Sequence, residues 1–309
     1  MAVFKWLPVP AALLALTGGV YRFTFYNPIP RREDPYDIPS GKQYQDTKKF
    51  ALELIREFDE QPYEQVYIDS FDGLRLSGHY YHVRDGAPLQ IQMHGYHGTT
   101  LRDFSGGNRL AVAAGHNRLV IEERAHGGSD GHTITFGVKE RLDCKAWAEY
   151  AAARFGKEIP IVLVGVSMGA ATVLMASDLE LPENVRCIVA DCPFTSPRAI
   201  IRDVCHRSAP LMRPLLPLVG PAARLFGRFD LDGASAVDAV AHTRLPILLI
   251  HGEDDRFVPC AMSRELAAAC AGPVRLETFP GAGHGLSYLV DPERYGRVVT
   301  EFLHENGID

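Results

Sequence analysis

A short glycine–serine pattern between two apolar segments constrains this chain more than any other feature. Residues 165–169 are Gly-Val-Ser-Met-Gly and directly follow the apolar run 161–164. A helix-like pattern comes next, carried by Ala170, Ala171, Val173 and Leu174. A Gly-x-Ser-x-Gly between a strand and a helix predicts a tight turn that lifts the serine hydroxyl above a sheet. We therefore expect Ser167 to be a nucleophile, with Gly165 and Gly169 leaving room for the neighbouring backbone.

Apolar runs alternate with helix-like stretches after about residue 65. The runs lie at Leu89–Met93 and at residues 119–121, 161–164, 187–190 and 247–250. Helical faces are carried by Leu142, Ala146, Tyr150 and Ala153, and near the C-terminus by Tyr295, Val298, Val299, Phe302 and Leu303. Short apolar runs are typical of strands buried on both faces, so the alternation predicts an α/β fold with a mostly parallel, helix-covered sheet. Ligands bind such sheets outside the carboxyl ends of the strands.

An activated serine needs a base and an acid that orients the base, in the chain order serine, acid, histidine for this architecture. The last of the apolar runs leads into a loop with three carboxylates, where Asp255 is the predicted acid and Asp254 the alternative. His284 follows the predicted strand Val274–Phe279 in a glycine-rich loop and is the predicted base. Asp191 ends another apolar run and is a reserve acid.

The charge that develops on a substrate carbonyl also needs hydrogen-bond donors. The strand Leu89–Met93 ends at His94 and Gly95, and glycine lets the backbone approach a ligand closely. We predict that the backbone N–H groups of Tyr96 and Met168 form the oxyanion hole, with His94 and Gly95 in support. No metal site is predicted, because the histidines of this loop lack further ligands at metal spacing.

Residues 197–243 interrupt the alternation. Five prolines fall in this insertion: Pro197, Pro210, Pro214, Pro217 and Pro221. Repeated prolines allow only short helices, and several leucines lie between them. We expect a small apolar lid over the strand ends. The alternative is a structural excursion that covers the sheet edge.

The N-terminus carries an uncharged apolar run at residues 6–21. As a helix this run would reach roughly 24 Å at 1.5 Å per residue, short of a ~30 Å hydrocarbon core, with Lys5 and Arg22 placed to snorkel. We expect residues 1–26 to form a hydrophobic anchor. A cleaved signal peptide and a helix packed on the domain are the alternatives.

Residues 27–64 are predicted to be a proline-rich tether followed by a leading helix, and residues 65–309 the main domain. Arginines after the apolar run outnumber the positive charges before it, which favours a cytoplasmic main domain on a membrane anchor. A soluble cytoplasmic protein and an exported one are the alternatives.

Charge and cysteine content exclude several classes of function. The net charge is −6, so no basic excess is present to neutralise nucleic-acid phosphates. Six cysteines in 309 residues include no Cys-x-x-Cys pair, so neither a disulfide scaffold nor a zinc site is expected. The phosphate-binding Gly-x-Gly-x-x-Gly and Walker patterns are missing from the sequence as well, so no cofactor is predicted.

With these residues in order, the chain resembles the α/β-hydrolase superfamily, and most of all bacterial serine hydrolases and Bem46-like, membrane-anchored relatives. The likeness rests on residues 94–96, 124–131 and 165–169 and on the pair Asp255 and His284. It implies an eight-stranded, mostly parallel sheet flanked by helices with a small helical lid. It also implies Ser167 as nucleophile, His284 as general base and acid, and Asp255 as orienting acid.

The expected activity is hydrolysis of a carboxylic ester through an acyl-enzyme, as in a carboxylesterase or lipase. The expected partner is a small ester with an apolar acyl group, with a membrane contacted through the N-terminus. An amidase, peptidase or acyltransferase of the same fold is an alternative. A non-catalytic binding protein on this scaffold is a further one.

Overall fold

The computed structural model describes residues 8–28 and 34–309. Their centre is a sheet of eight strands in the order β1-β2-β4-β3-β5-β6-β7-β8. The strands are β1 (Glu64–Asp69), β2 (Arg75–Tyr81), β3 (Leu89–Met93), β4 (Asn117–Glu122), β5 (Ile161–Val166), β6 (Val185–Asp191), β7 (Ile247–Gly252) and β8 (Val274–Phe279). β2 runs antiparallel to both of its neighbours, and the pairs from β4 to β8 are parallel. The predicted α/β fold with an eight-stranded, mostly parallel sheet is confirmed.

Helices cover the sheet on both faces. They are α1 (Pro8–Thr24), α2 (Lys42–Asp59), α3 (Thr100–Ala113), α4 (Glu140–Phe155), α5 (Met168–Ala176), α6 (Pro197–Arg207), α7 (Leu216–Ala222), α8 (Ala236–Val240), α9 (Cys260–Ala269), α10 (Ser287–Val290) and α11 (Pro292–Glu305). A 3₁₀ segment at Pro210–Leu215 and a π-helical turn at Ala223–Gly227 flank α7. The insertion 197–243 is therefore built of short helical pieces, as its prolines predict.

The central strands are apolar because both of their faces are buried. All five residues of β3 and all six of β7 are buried. Each parallel strand ends at the same edge of the sheet, so the loops that follow β3 to β8 meet there. This edge collects every candidate catalytic residue of the sequence.

The buried face of α4 differs from the face that the apolar pattern predicts. Cys144, Trp147, Ala148 and Ala151 face the core, while Ala153 is exposed. Both faces of this helix carry apolar residues, so periodicity alone does not select one. The predicted C-terminal face is the buried one in α11, where Tyr295, Val298, Phe302 and Leu303 are buried.

The described part of the predicted anchor packs on the protein itself. Thr17 and Val20 on the inner side of α1 are buried, and Phe25 just beyond the helix is fully buried. Burying a phenylalanine is worth about 1.5–3 kcal/mol. The Asn27 side chain donates a 2.7 Å hydrogen bond to the carbonyl of Ala125. The helix packed on the domain is thus the alternative that residues 8–26 match.

Parts of the predicted N-terminal segments lie outside the described residues: residues 1–7 of the anchor and residues 29–33 of the tether. Across residues 8–28 and 34–309, no helix combines the length and the hydropathy needed to cross a membrane.

Candidate active site

Ser167 lies at the sharp turn between β5 and α5. Its backbone is in the left-handed region, with φ +55° and ψ −112°. A Cβ on Gly169 would come within 1.9 Å of the Met93 carbonyl oxygen, and a Cβ on Gly165 within 2.3 Å of the Gly169 carbonyl oxygen. Both positions therefore require glycine, which explains why the sequence carries this pattern. The turn places the serine hydroxyl at the carboxyl edge of the sheet.

The structure brings the three predicted side chains into one hydrogen-bonded chain. The Ser167 hydroxyl lies 2.9 Å from Nε2 of His284. On the other side of the ring, Nδ1 of His284 lies 2.7 Å from Oδ2 of Asp255. This arrangement leaves Nδ1 as the donor to the carboxylate and Nε2 as the acceptor of the serine proton.

The alternative acids are placed differently. Asp254 is exposed to solvent. Asp191 is buried at the end of β6, where the Tyr295 hydroxyl donates to its Oδ2 at 3.1 Å. Burial raises the pKa of Asp191 to about 6. Asp255 is therefore the acid that faces the His284 ring.

Further donors hold Asp255 as a carboxylate. The backbone N–H groups of Phe257 and Val258 each donate to its Oδ1 at 2.8 Å. Nε2 of His251 lies 3.3 Å from its Oδ2. Burial raises the pKa of Asp255, but the hydrogen bonds from His251 and His284 outweigh burial and hold it far below its usual range. Sequence reasoning missed His251, because its contact with Asp255 depends on how the loop closes.

The loop after β3 lies directly against Ser167. A Cβ on Gly95 would come within 3.3 Å of the Ser167 Cβ. The N–H of Gly95 donates to Oδ2 of Asp103, in the first turn of α3, at 2.8 Å. Tyr96 lines the same cavities as Ser167, and Met168 opens helix α5, where first-turn N–H groups lack intrahelical acceptors. Tyr96 and Met168, which carry the two predicted oxyanion donors, therefore both lie next to Ser167.

Two buried histidines, His94 and His126, hold the backbone of this loop by hydrogen bonds. Nδ1 of His94 lies 2.8 Å from the Gly95 carbonyl, and its Nε2 accepts the N–H of Glu123 at 3.1 Å. His126 accepts the N–H of His97 at 3.2 Å through Nε2, while its Nδ1 lies 3.0 Å from the Arg124 carbonyl. Burial holds the pKa of His126 well below its usual range, so the ring is neutral and keeps Nε2 as an acceptor. The sequence gives no signal for the bond between His126 and His97.

Two cavities meet at Ser167. The first, of about 360 Å³, is almost wholly apolar and is lined by α1 and the insertion, among others by Val20, Phe23, Ile200, Val204, Met212 and Leu215. The second, of about 390 Å³, lies between α2, α3 and His284 and includes Tyr44, Thr47, Arg102, Asp103 and Ser105. A substrate carbonyl at Ser167 would therefore have an apolar side and a more polar side.

One triple of metal-type ligands occurs within residues 8–28 and 34–309: Cys192, Asp255 and His284. Burial raises the pKa of the Cys192 thiol well above its usual range, so the thiolate that a metal needs is disfavoured. The other two side chains already bond to each other. These side chains therefore fit the hydrogen-bonded chain that leads to Ser167 better than a metal site.

Comparison with known proteins agrees with the fold. The model of the alpha/beta hydrolase family matches residues 93–298. An uncharacterized protein of Bacillus subtilis, YqkD, is 25% identical over 255 residues, which cover 81% of this chain and 82% of that protein. The protein bem46 of Schizosaccharomyces pombe is 25% identical over 272 residues, covering 85% of this chain and 80% of that protein.

The fold is also similar to a solved esterase. The structure of the Pyrococcus furiosus esterase Pf2001 superposes with a TM-score of 0.65 at 25% identity, over 81% of this chain and 94% of the esterase. The matched family region contains β4 to β8 and all three residues of the hydrogen-bonded chain. The protein described here therefore belongs to the alpha/beta hydrolase family.

Proposed function

We propose that this hydrolase is a serine esterase that cleaves carboxylic esters with an apolar acyl group through an acyl-enzyme. The observation that carries the proposal is the continuous chain from Ser167 through His284 to Asp255, with distances of 2.9 and 2.7 Å. The chain ends on a serine in a left-handed turn between two cavities. Similarity to an esterase of known structure supports the same reaction class.

In the proposed mechanism, His284 takes the proton of Ser167 as Oγ attacks the ester carbonyl carbon. The N–H groups of Met168 and Tyr96 stabilise the resulting oxyanion. His284 then gives that proton to the departing alcohol oxygen, which leaves an acyl group on Ser167. A water molecule, deprotonated by His284, attacks this acyl group, and His284 returns the proton to Ser167 Oγ as the acid leaves. Asp255 stays ionised throughout and stabilises the imidazolium.

The two cavities divide the substrate between them. The apolar cavity suits the acyl chain, because burying each CH₂ group there contributes about 0.8 kcal/mol. The second cavity offers Tyr44, Thr47 and Arg102 to a more polar alcohol. We therefore expect the preferred substrates to be esters whose alcohol part is polar, with acyl chains longer than acetyl.

The test is a series of p-nitrophenyl esters from acetate upward, measured with the full chain and with Ser167→Ala. We expect kcat/KM to rise over the first several carbons and activity to disappear in Ser167→Ala, while the circular dichroism spectrum stays unchanged. Ser177→Ala, a buried serine at the C-terminus of α5, is the matched control and should keep full activity. Turnover by Ser167→Ala at the wild-type rate would refute the proposal, and a preference for matched amides would assign an amidase instead.

A further inference from the structure

Exposed apolar side chains are concentrated on two adjoining segments. In the described part of the chain, α1 exposes Leu13, Leu14, Leu16 and Phe23, and the insertion exposes Leu211, Leu225 and Phe226. Leu211 is 92% exposed. Large exposed apolar patches on a folded protein mark surfaces that bind a partner or a membrane.

These segments form one surface. The Phe226 ring lies in contact with Gly18 and stacks on Tyr21 of α1, with ring centroids 5.7 Å apart. Phe23 of α1 and Met212, the neighbour of Leu211, line the same apolar cavity. Exposed side chains of both segments therefore belong to the lining of the cavity that contains Ser167, as Phe23 does, or adjoin a lining residue directly in the chain, as Leu211 does. We call this surface, made of the outer side of α1 and residues 210–228, the apolar face.

The segment 197–228, which contributes its second half to the apolar face, carries the charge of the opposite sign to the whole protein. Residues 197–228 contain six arginines and one aspartate, in a chain with net charge −6. The arginines are Arg198, Arg202, Arg207, Arg213, Arg224 and Arg228, and all of them are exposed. Asp203, Asp230 and Asp232 pair with Arg207, Arg224 and Arg198. Among the described residues, Arg202, Arg213 and Arg228 make no such ion pair, which leaves positive charge on the segment that also carries Leu211 and Leu225.

We propose that the apolar face docks on the surface of a bilayer that contains anionic phospholipids, with α1 lying in the interface and the cavity mouth opening toward the lipid. Leucines on one side and arginines around them match the acyl boundary and the headgroups of such a bilayer. Two copies of this chain packed face to face would bring the same arginines together, which disfavours self-association. The docking stands on exposure and charge alone; only the delivery of lipid esters to Ser167 rests on the proposed esterase function.

The experiment is co-sedimentation of the full chain with vesicles of phosphatidylcholine alone and with vesicles of equimolar phosphatidylcholine and phosphatidylglycerol. We expect binding to the anionic vesicles that weakens as salt is raised, because salt screens the arginines. The variant Leu211→Asp with Leu225→Asp should lower the bound fraction at least about 10-fold, since a charge at each site must enter the apolar boundary. Neither residue lines the catalytic cavities, so hydrolysis of a soluble short-chain ester should stay at the wild-type level.

The matched control carries two aspartates elsewhere, as Val83→Asp with Val112→Asp. Both valines are partly exposed, at 37% and 42%, and follow β2 or end α3, at the amino edge of the parallel strands. This control should bind vesicles like the wild type. A second variant, Arg202→Gln with Arg213→Gln, should lose only the preference for anionic vesicles.

Three results would overturn the proposal. Equal vesicle binding by the leucine variant and the valine control would show that the apolar face does not contact lipid. A wild-type dimer that the leucine substitutions dissociate, with no vesicle binding, would make the face a contact between copies. The leucine variant could also lose soluble-ester hydrolysis, which would mean that its fold is damaged. The arginine variant then serves as the test, and its binding to anionic vesicles at the wild-type level would count against the proposal. Loss of ester hydrolysis by all proteins, with lipid binding intact, would reject only the esterase function.

Discussion

The hydroxyl of Tyr96 donates a hydrogen bond to the carbonyl oxygen of Thr24, with 3.1 Å between the two oxygens. Tyr96 belongs to the loop that carries a proposed oxyanion donor, and Thr24 ends helix α1. The Tyr96 ring also stacks on Phe136, with centroids 5.0 Å apart. The helix on the proposed lipid-facing side is thus tied directly to the loop beside the nucleophile.

Replacing Tyr96 with phenylalanine removes this tie and keeps the ring. A hydrogen bond of this kind is worth about 0.5–1.5 kcal/mol, so we expect kcat to fall about 2- to 10-fold on medium-chain esters. Tyr21→Phe is the control, because the Tyr21 hydroxyl bonds Thr133 at 2.7 Å and fixes α1 without touching the loop. Steady-state kinetics measure kcat for both variants. An equal loss of kcat in the two would mean that the hydrogen bond from Tyr96 to Thr24 acts only by placing α1.

Substitution of Asp255 and of Asp254 tests which of the two carboxylates orients His284. Asp255→Asn should lower kcat about 10⁴-fold, because an amide cannot hold the His284 ring in the required tautomer. Asp254→Asn should leave kcat within about 2-fold, since that side chain is exposed. Single-turnover measurement of acylation checks both variants. If Asp254→Asn shows the large loss of kcat instead, Asp254 and not Asp255 is the orienting acid.

His126 should act on the reaction through the backbone of His97. In His126→Gln the amide oxygen can accept the His97 N–H, whereas His126→Leu leaves that partly buried group without the acceptor it has in the wild type. We expect the leucine variant to lose about 10-fold in kcat with little change in KM, and the glutamine variant to recover most of it. Equal activity in both variants would show that the bond to His97 does not position the oxyanion loop.

Glu123 should make the protein less stable as the pH rises. Its side chain is buried, and both carboxylate oxygens lack a hydrogen-bond partner among residues 8–28 and 34–309. Burial raises the pKa of Glu123 well above its usual range, and the nearby Glu140 and Asp143 raise it further. The folded state therefore binds this proton more tightly than the unfolded state, whose glutamate pKa is about 4.3. Stability from this group is complete below that pH and is lost as the pH rises toward the folded pKa.

Glu123→Gln replaces the ionisable carboxyl group with an amide of nearly the same size and shape. We expect the variant to gain about 1–3 kcal/mol in the free energy of unfolding at pH 8, with little change at pH 4. Urea unfolding at the two pH values checks this difference. A gain of the same size at both pH values would show that packing, and not the proton, is responsible.

The sequence predicts the motif-bearing parts of the site because their chemistry requires particular residues at particular places in the chain. Gly165 and Gly169 are demanded by backbone contacts within the turn, and His284 follows β8 in the loop where the architecture needs a base. The support given by Asp103 and His251 depends on how the loops after β3 and β7 close on themselves, which no residue pattern records.

The docking of α1 also lies beyond sequence reasoning. A uniformly apolar helix can bury its surface against lipid or against protein, and its hydropathy is the same in both cases. In the structure, Val20 faces the cavity while Leu13 faces outward, a difference that only the packing partner decides. The wrong face predicted for α4 has the same cause.

The central claim is that Ser167 is activated by His284, and labelling with a fluorophosphonate tests it most directly. The reagent phosphonylates a serine whose hydroxyl is activated by a neighbouring base, and peptide mass spectrometry locates the adduct. We expect rapid labelling of the wild type at Ser167, labelling slowed by orders of magnitude in His284→Ala, and none at this site in Ser167→Ala. Labelling of another residue, or an equal rate in His284→Ala, would contradict it.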